Sequence, residues 1–287
     1  MPVGVRSTKG FACVAAAAAL AACAGTTGAV VAPANPVEAV APGAATVRER
    51  LLASPRHGEW AMIRTGPTDS VRAWVVYPER SSKAPVVVVV HEIFGLSTWI
   101  RGVADQLAAA GFIAIAPDLL TGKATLEGDT LPNSVATTAI RTLRAEDVQR
   151  QLEAVAQYGM ALPAAAGRYG IVGFCWGGGT SFAHAVRSPS GLKGAVVYYG
   201  ASPDTTELSR VQVPVLGLYA GDDARINARV PATDSTMRRL GKPYEVHFFE
   251  GAGHGFLRAQ DGREANRAAA EKAWPMTVAF FRRNLGR

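Results

Sequence analysis

Five consecutive valines, Val86 to Val90, are the most restrictive stretch of this 287-residue chain. Successive side chains of a strand point to opposite faces, so a run that is β-branched at every position needs apolar cover on both sides. Such a strand belongs inside a mostly parallel sheet covered by helices on each face. The remaining pattern alternates accordingly. Strands are expected near Val71–Tyr77, Val86–His91, Ile113–Ala116, Ile171–Phe174, Ala195–Tyr199, Val215–Ala220 and Tyr244–Phe249. Helices are expected at Thr98–Ala110, Ala136–Tyr158, Gly177–Val186, Ala232–Leu240 and Arg263–Asn284, the last with a kink or restart at Pro275. In the second helix Val148, Leu152 and Val155 form one apolar stripe. The reading is one doubly wound α/β domain over residues 47–287, without internal repeats.

The apolar run Tyr169 to Phe174 ends in Gly173-Phe174-Cys175-Trp176-Gly177-Gly178, the sequence form of a nucleophile elbow. In an elbow a strand turns sharply into a helix, and its neighbours must lack bulk to let the turn close. A helix opening beyond Cys175 would point its unpaired N–H groups at the sulfur and favour thiolate. An inert buried cysteine in a glycine-rich turn is the bland alternative, so the partners of Cys175 must decide.

A thiolate that attacks a carbonyl needs a base, and the base needs a group to orient it. Two later strands supply candidates at their C-terminal ends, where α/β sheets carry their chemistry. The run Val213 to Ala220 leads into Gly221-Asp222-Asp223, of which Asp223 is the preferred acid and Asp222 a solvated turn residue. The run Tyr244 to Phe249 leads into Gly253-His254-Gly255-Phe256. The order Cys175, Asp223, His254 is the chain order of an α/β-hydrolase fold. The valine strand itself ends in His91-Glu92-Ile93-Phe94-Gly95, where Glu92 is either a functional carboxylate or a paired structural one. The backbone N–H groups of Ile93 and Trp176 would form the oxyanion hole.

With these motifs in hand, the chain resembles the dienelactone hydrolase family over roughly Glu59 to Leu285: Glu-Ile-Phe-Gly, Gly-x-Cys-x-Gly-Gly, Asp and Gly-His-x-Phe follow in the family's order. The resemblance implies acyl transfer by a Cys175, Asp223, His254 triad, with Glu92 controlling when the thiolate forms. It also implies that Arg258, four residues beyond His254, binds a substrate carboxylate. Two departures weaken the match to dienelactone as substrate. The family's Pro-Asp-Leu-Tyr reads Pro117-Asp118-Leu119-Leu120 here, and no second arginine stands between Thr121 and Ser134. The loop Thr121–Asn133 reads as an altered lid.

Residues 1–22 carry Arg6 and Lys9 and no acid, then the twelve apolar residues Phe11 to Ala22, too short to span a bilayer. They read as a signal peptide. Leu20-Ala21-Ala22-Cys23 resembles a lipobox, which implies lipidation of Cys23 and tethering in the cell envelope, periplasmic or at the outer membrane. Residues 23–46, rich in Ala and Pro with Glu38 as the only charge, read as a linker. With Cys13 lost and Cys23 lipidated, Cys175 has no cysteine to pair with.

The formal charge of +7 falls to +5 without residues 1–22, and its basic residues are dispersed. No nucleic-acid motif, phosphate loop or metal-ligand spacing is present, because His91-Glu92 lacks a second histidine and Gly173 to Gly179 lacks the lysine and hydroxyl. The expectation is a monomeric hydrolase of small esters or lactones, without cofactor, that touches a membrane only through its lipid. The alternatives are a thioesterase, or a non-catalytic envelope lipoprotein that uses the hydrolase fold as a binding module.

Overall fold

The computed structural model describes Met1 and residues 40–124 and 132–286. The signal-like segment, Cys23, the linker up to residue 39 and residues 125–131 of the expected lid lie outside the described residues. In chain order the elements begin with α1 (Val47–Leu52), β1 (Gly58–Arg64), β2 (Ser70–Val76), β3 (Ala84–Val90), α2 (Thr98–Ala109) and β4 (Ile113–Asp118). There follow α3 (Asn133–Ile140), α4 (Ala145–Ala161), β5 (Ala165–Phe174), α5 (Trp176–Arg187) and β6 (Leu192–Tyr198). The chain closes with β7 (Val215–Ala220), α6 (Ala224–Asn227), α7 (Val230–Arg239), β8 (Tyr244–Phe249) and α8 (Glu264–Leu285).

The strands form one eight-stranded sheet in the order β1-β2-β4-β3-β5-β6-β7-β8. The β1–β2 and β2–β4 pairs are antiparallel, and every pair from β4 onward is parallel. The valine run does what its pattern demands. Val87 and Val89 enter the core on one face, against α2 and α8 residues such as Trp99, Trp274 and Phe281. Val86, Val88 and Val90 enter the other, with Leu152 and Val155 of α4 and Phe182 of α5. All five are fully buried. At about 25 cal/mol per Å² of apolar surface removed from water, a side chain buried from both directions is worth roughly 1.5–3 kcal/mol.

Several expectations need correction. Strand β1 was not anticipated, because it is an edge strand in which only Ile63 is fully buried and Trp60 and Met62 face solvent. The single helix expected at 136–158 is two, α3 and α4, with turns closed by Thr142 N–H to Ala139 O and Leu143 N–H to Ile140 O between them. Helix α8 runs through Pro275 without a break. Pro275 faces solvent, where the carbonyl it frees can be hydrated, while Trp274 and Thr277 beside it are held in the core.

The packed domain also starts before residue 47. Ala41 to Gly43 are buried, the Pro42 carbonyl accepts from Trp99 Nε1 at 2.8 Å, and the Ala41 carbonyl accepts from Gln260 Nε2 at 2.9 Å. Composition marks this stretch as linker because such backbone pairing leaves no trace in residue type.

Candidate active site

Helix α5 begins immediately after Cys175, whose backbone has φ 56° and ψ −115°. A non-glycine residue in that region is strained, and the surroundings hold it there. The glycines explain how. A Cβ on Gly173 would overlap the Gly177 carbonyl, one on Gly177 the carbonyls of Val90 and His91, and one on Gly178 the Tyr198 carbonyl. The elbow is wedged between the ends of β3 and β6 with no room for side chains. Cys175 N–H donates to the Tyr198 carbonyl at 3.1 Å, and the next residue, Tyr199, is itself at φ 37°.

Cys175 opens onto a cavity of about 590 Å³ shared with His254, Ile93, Trp176 and Arg225. Asp223, just past β7, is buried, and its Oδ2 lies 2.5 Å from His254 Nδ1. A carboxylate there only accepts, so Nδ1 carries a proton, and in the neutral ring Nε2 is the nitrogen with the lone pair. The Ile226 N–H donates to the other carboxylate oxygen at 3.4 Å, and the His254 ring packs on Tyr199 with centroids 5.1 Å apart. Asp222 points elsewhere, onto Arg263 at 2.5 Å. No hydrogen bond joins the Cys175 sulfur to His254 among the described residues.

The surroundings of the sulfur favour the thiol over the thiolate. Burial pushes its pKa up, and the Glu92 charge adds to that; the Trp176 N–H and the Arg225 charge pull the other way without reversing it. The expected thiolate bias of the helix start is therefore outweighed by desolvation. Glu92, at the end of β3, is only 3% exposed, with Oε2 3.0 Å from Arg258 Nε. The N–H is not aimed at that oxygen, so the contact is ionic and neither atom gains a directed hydrogen bond. Burial pushes the Glu92 carboxyl up to about 7 against the pull of Arg258.

This placement has a measurable sign. Because the folded value lies above the ordinary 4.5, the protonated form is favoured in the fold. The cost of the buried anion is absent below pH 4.5, grows between pH 4.5 and about 7, and is fully present above that. Glu92→Gln is expected to raise stability at pH 8 by on the order of 3 kcal/mol, read as a higher melting temperature, and to change it little at pH 4.5. It should also move the thiolate titration, followed at 240 nm, to lower pH. Equal melting shifts at both pH values would refute the assignment.

Ile93 and Trp176 line the cavity beside the sulfur. A residue that sequence reasoning passed over orients the first of them. His91 Nδ1 donates to the Glu92 carbonyl at 2.7 Å while its Nε2 accepts from Leu119 N–H at 3.2 Å. The Glu92–Ile93 peptide is rigid, so holding its carbonyl also aims the Ile93 N–H. Burial keeps His91 neutral, as this tautomer requires, and its ring stacks on Trp176. The only sequence signal was a histidine inside an apolar strand end.

Arg258 is not on the cavity wall. It lies over the Phe94 ring at 4.9 Å and borders a separate hollow of about 200 Å³ with Ala44, Ser97 and Trp99. Among the described residues no cluster of three or more metal-binding side chains occurs, and no helix is long and apolar enough to cross a membrane.

A cysteine elbow after β5, a carboxylate after β7 and a histidine after β8, on a mostly parallel sheet, have the arrangement of an α/β-hydrolase. Residues 71–285 match the sequence pattern of the dienelactone hydrolase family. A protein of Salmonella typhi, provisionally named carboxymethylenebutenolidase, is 32% identical over 84% of this chain and 94% of its own. One of Saccharolobus solfataricus with the same provisional name is 31% identical over 74% of this chain and 94% of its own. A Bradyrhizobium protein, provisionally named 2-oxo-3-(5-oxofuran-2-ylidene)propanoate lactonase, is 30% identical over 79% of this chain and 94% of its own. A crystal structure from Klebsiella pneumoniae, provisionally assigned as a dienelactone hydrolase, superposes with a TM-score of 0.69 at 26% identity, covering 79% of this chain and 98% of that one. The chain belongs to the dienelactone hydrolase family and, as a member, is a carboxylic ester hydrolase.

Proposed function

We propose that the chain hydrolyses small esters and lactones through a Cys175, His254, Asp223 triad. The observation that carries this reading is the pair of buried Asp223 and partly exposed His254 at 2.5 Å, opening onto the same cavity as the cysteine of a strained elbow. The thiol proton passes to His254 Nε2, and the sulfur adds to the carbonyl carbon. The carbonyl π pair moves to oxygen, where the Ile93 and Trp176 N–H groups receive it. Collapse restores the carbonyl and breaks the C–O bond; the alkoxide takes a proton from His254, and in a lactone it stays attached to the acyl group. Water then gives a proton to His254 Nε2 and adds to the thioester, whose collapse releases the acid and the thiolate, and His254 returns the proton to the sulfur.

Glu92 sets the timing. Its charge beside the sulfur opposes ionisation, so the thiolate is withheld until Glu92 is protonated or displaced. This protects a thiol from oxidation between turnovers. The relatives' names point to lactones, and the apolar cavity wall suits a compact organic acyl group. The test is a panel of lactones, oxygen esters and thioesters: turnover is expected for the first two. Turnover confined to thioesters would favour a thioesterase, and none at all a non-catalytic binding module.

The charge and hydropathy of residues 1–22 and the position of Cys23 support export and lipid attachment to the cell envelope. Incorporation of labelled palmitate that survives Cys23→Ala would refute the anchor.

A further inference from the structure

Much of the cavity wall around Cys175 is apolar, with Ile93, Leu143, Val148 and Ile226 among its residues, and a single side-chain amide, that of Gln149, interrupts it. Gln149 stands on α4 and is 6% exposed. Its Nε2 donates to the Thr180 carbonyl of α5 at 3.2 Å, and its Oε1 lies 2.7 Å from His184 Nδ1. A backbone carbonyl only accepts, so the NH₂ end must face Thr180 and the oxygen must face the ring. His184 therefore carries its proton on Nδ1, and its Nε2 accepts from the Tyr169 hydroxyl at 2.9 Å. Burial drives the His184 pKa down to about 3, so the ring stays neutral in this arrangement. Tyr169 and His184 are fully buried, and with Thr180 they hold the amide plane in one orientation. A primary amide has two N–H groups, and the second one of Gln149 has no partner among the described residues. Burying a donor without a partner is costly, and the free volume that Gln149 borders is the cavity of the nucleophile.

We propose that Gln149 determines specificity by donating its second Nε2 hydrogen to a neutral oxygen, a ketone or an ether, on the acyl chain of the substrate. The inference rests on the reading of Cys175 as nucleophile. An uncharged donor set among apolar side chains matches an uncharged acceptor, which enters such a wall at less cost than an ion. The acyl chain is the part that stays on the sulfur through both halves of the reaction, so a contact made there orients the ester and the acyl-enzyme alike. His184 and Tyr169 act as positioning residues: they touch no substrate and keep the amide from turning its oxygen toward the cavity.

The experiment compares the p-nitrophenyl esters of 4-oxopentanoate and 5-oxohexanoate with those of pentanoate and hexanoate, which have the same chains without the ketone. The readout is the ratio of kcat/KM values within each pair. Because both members use the same thiol and leaving group, any effect on sulfur ionisation or on folding cancels in the ratio. Wild type is expected to accept at least one ketone ester as well as its alkyl partner or better. Gln149→Met removes the donor at similar size and should lower that ratio by about 5- to 30-fold. Methionine also leaves the His184 N–H unpaired, so Gln149→Glu is the second variant. As the neutral acid it can donate to the Thr180 carbonyl and accept from His184, yet it has no further hydrogen to give, and the ionised form has none at all. It should lower the ratio to a similar extent. Ratios within about twofold of wild type in both variants, or a wild type that disfavours both ketone esters by more than about fivefold, would overturn the proposal. Cys175→Ala separates the two readings: p-nitrophenolate release that persists in it defeats the nucleophile assignment and this inference with it, whereas an inactive Cys175→Ala with unchanged ratios in the Gln149 variants defeats only the role of Gln149.

Discussion

Replacement of Cys175 by alanine is expected to lower ester turnover by roughly 10⁴- to 10⁶-fold with the fold retained, the range found when the nucleophile of a triad is removed. The side chain is half-buried at the cavity floor, so truncation removes one sulfur and leaves the packing beneath it undisturbed. The backbone is already at φ 56°, and alanine bears the same Cβ, so the turn is no more strained than before. Initial rates with p-nitrophenyl butyrate and a thermal melt of each protein decide the matter. An alanine variant within tenfold of wild type would sink the covalent mechanism, because no other cysteine is present in the domain.

Asp223→Asn is expected to cost about 10⁴-fold in kcat, close to the loss seen when a triad carboxylate becomes an amide. The 2.5 Å contact fixes the proton on His254 Nδ1 and leaves Nε2 as base. An asparagine can turn its NH₂ toward Nδ1, which moves the imidazole proton to Nε2 and removes the lone pair that accepts from thiol and water. The neighbouring Asp222 is the internal control. It pairs with Arg263 on the surface, both side chains about half exposed, so Asp222→Asn should change kcat by less than about twofold. Equal losses in the two variants would show that the loop's stability, not the orientation of His254, is at stake.

Legibility differed among elements for physical reasons. Buried parallel strands announce themselves because both faces are apolar, and β3 and β7 were located to within two residues. Strand β1 escaped because an exposed edge need not alternate. The break between α3 and α4 escaped because Thr142 and Leu143 carry no glycine or proline to mark it. The elbow was legible because its glycines answer to backbone crowding, which constrains residue type directly. Arg225 was not, since a cation in a turn after a strand reads the same whether it faces bulk water or a cavity.

The residue pattern by itself determined the layered α/β architecture and the identity and order of Cys175, Asp223 and His254, because burial on two faces and a turn without room for side chains dictate chemistry locally. Only the tertiary structure decided which arginine serves Glu92 and which faces the cavity, that His91 aims the Ile93 peptide, and that burial disfavours the thiolate. Charge states and pairings depend on distance and desolvation between groups far apart along the chain, quantities set only when the sheet edge is assembled.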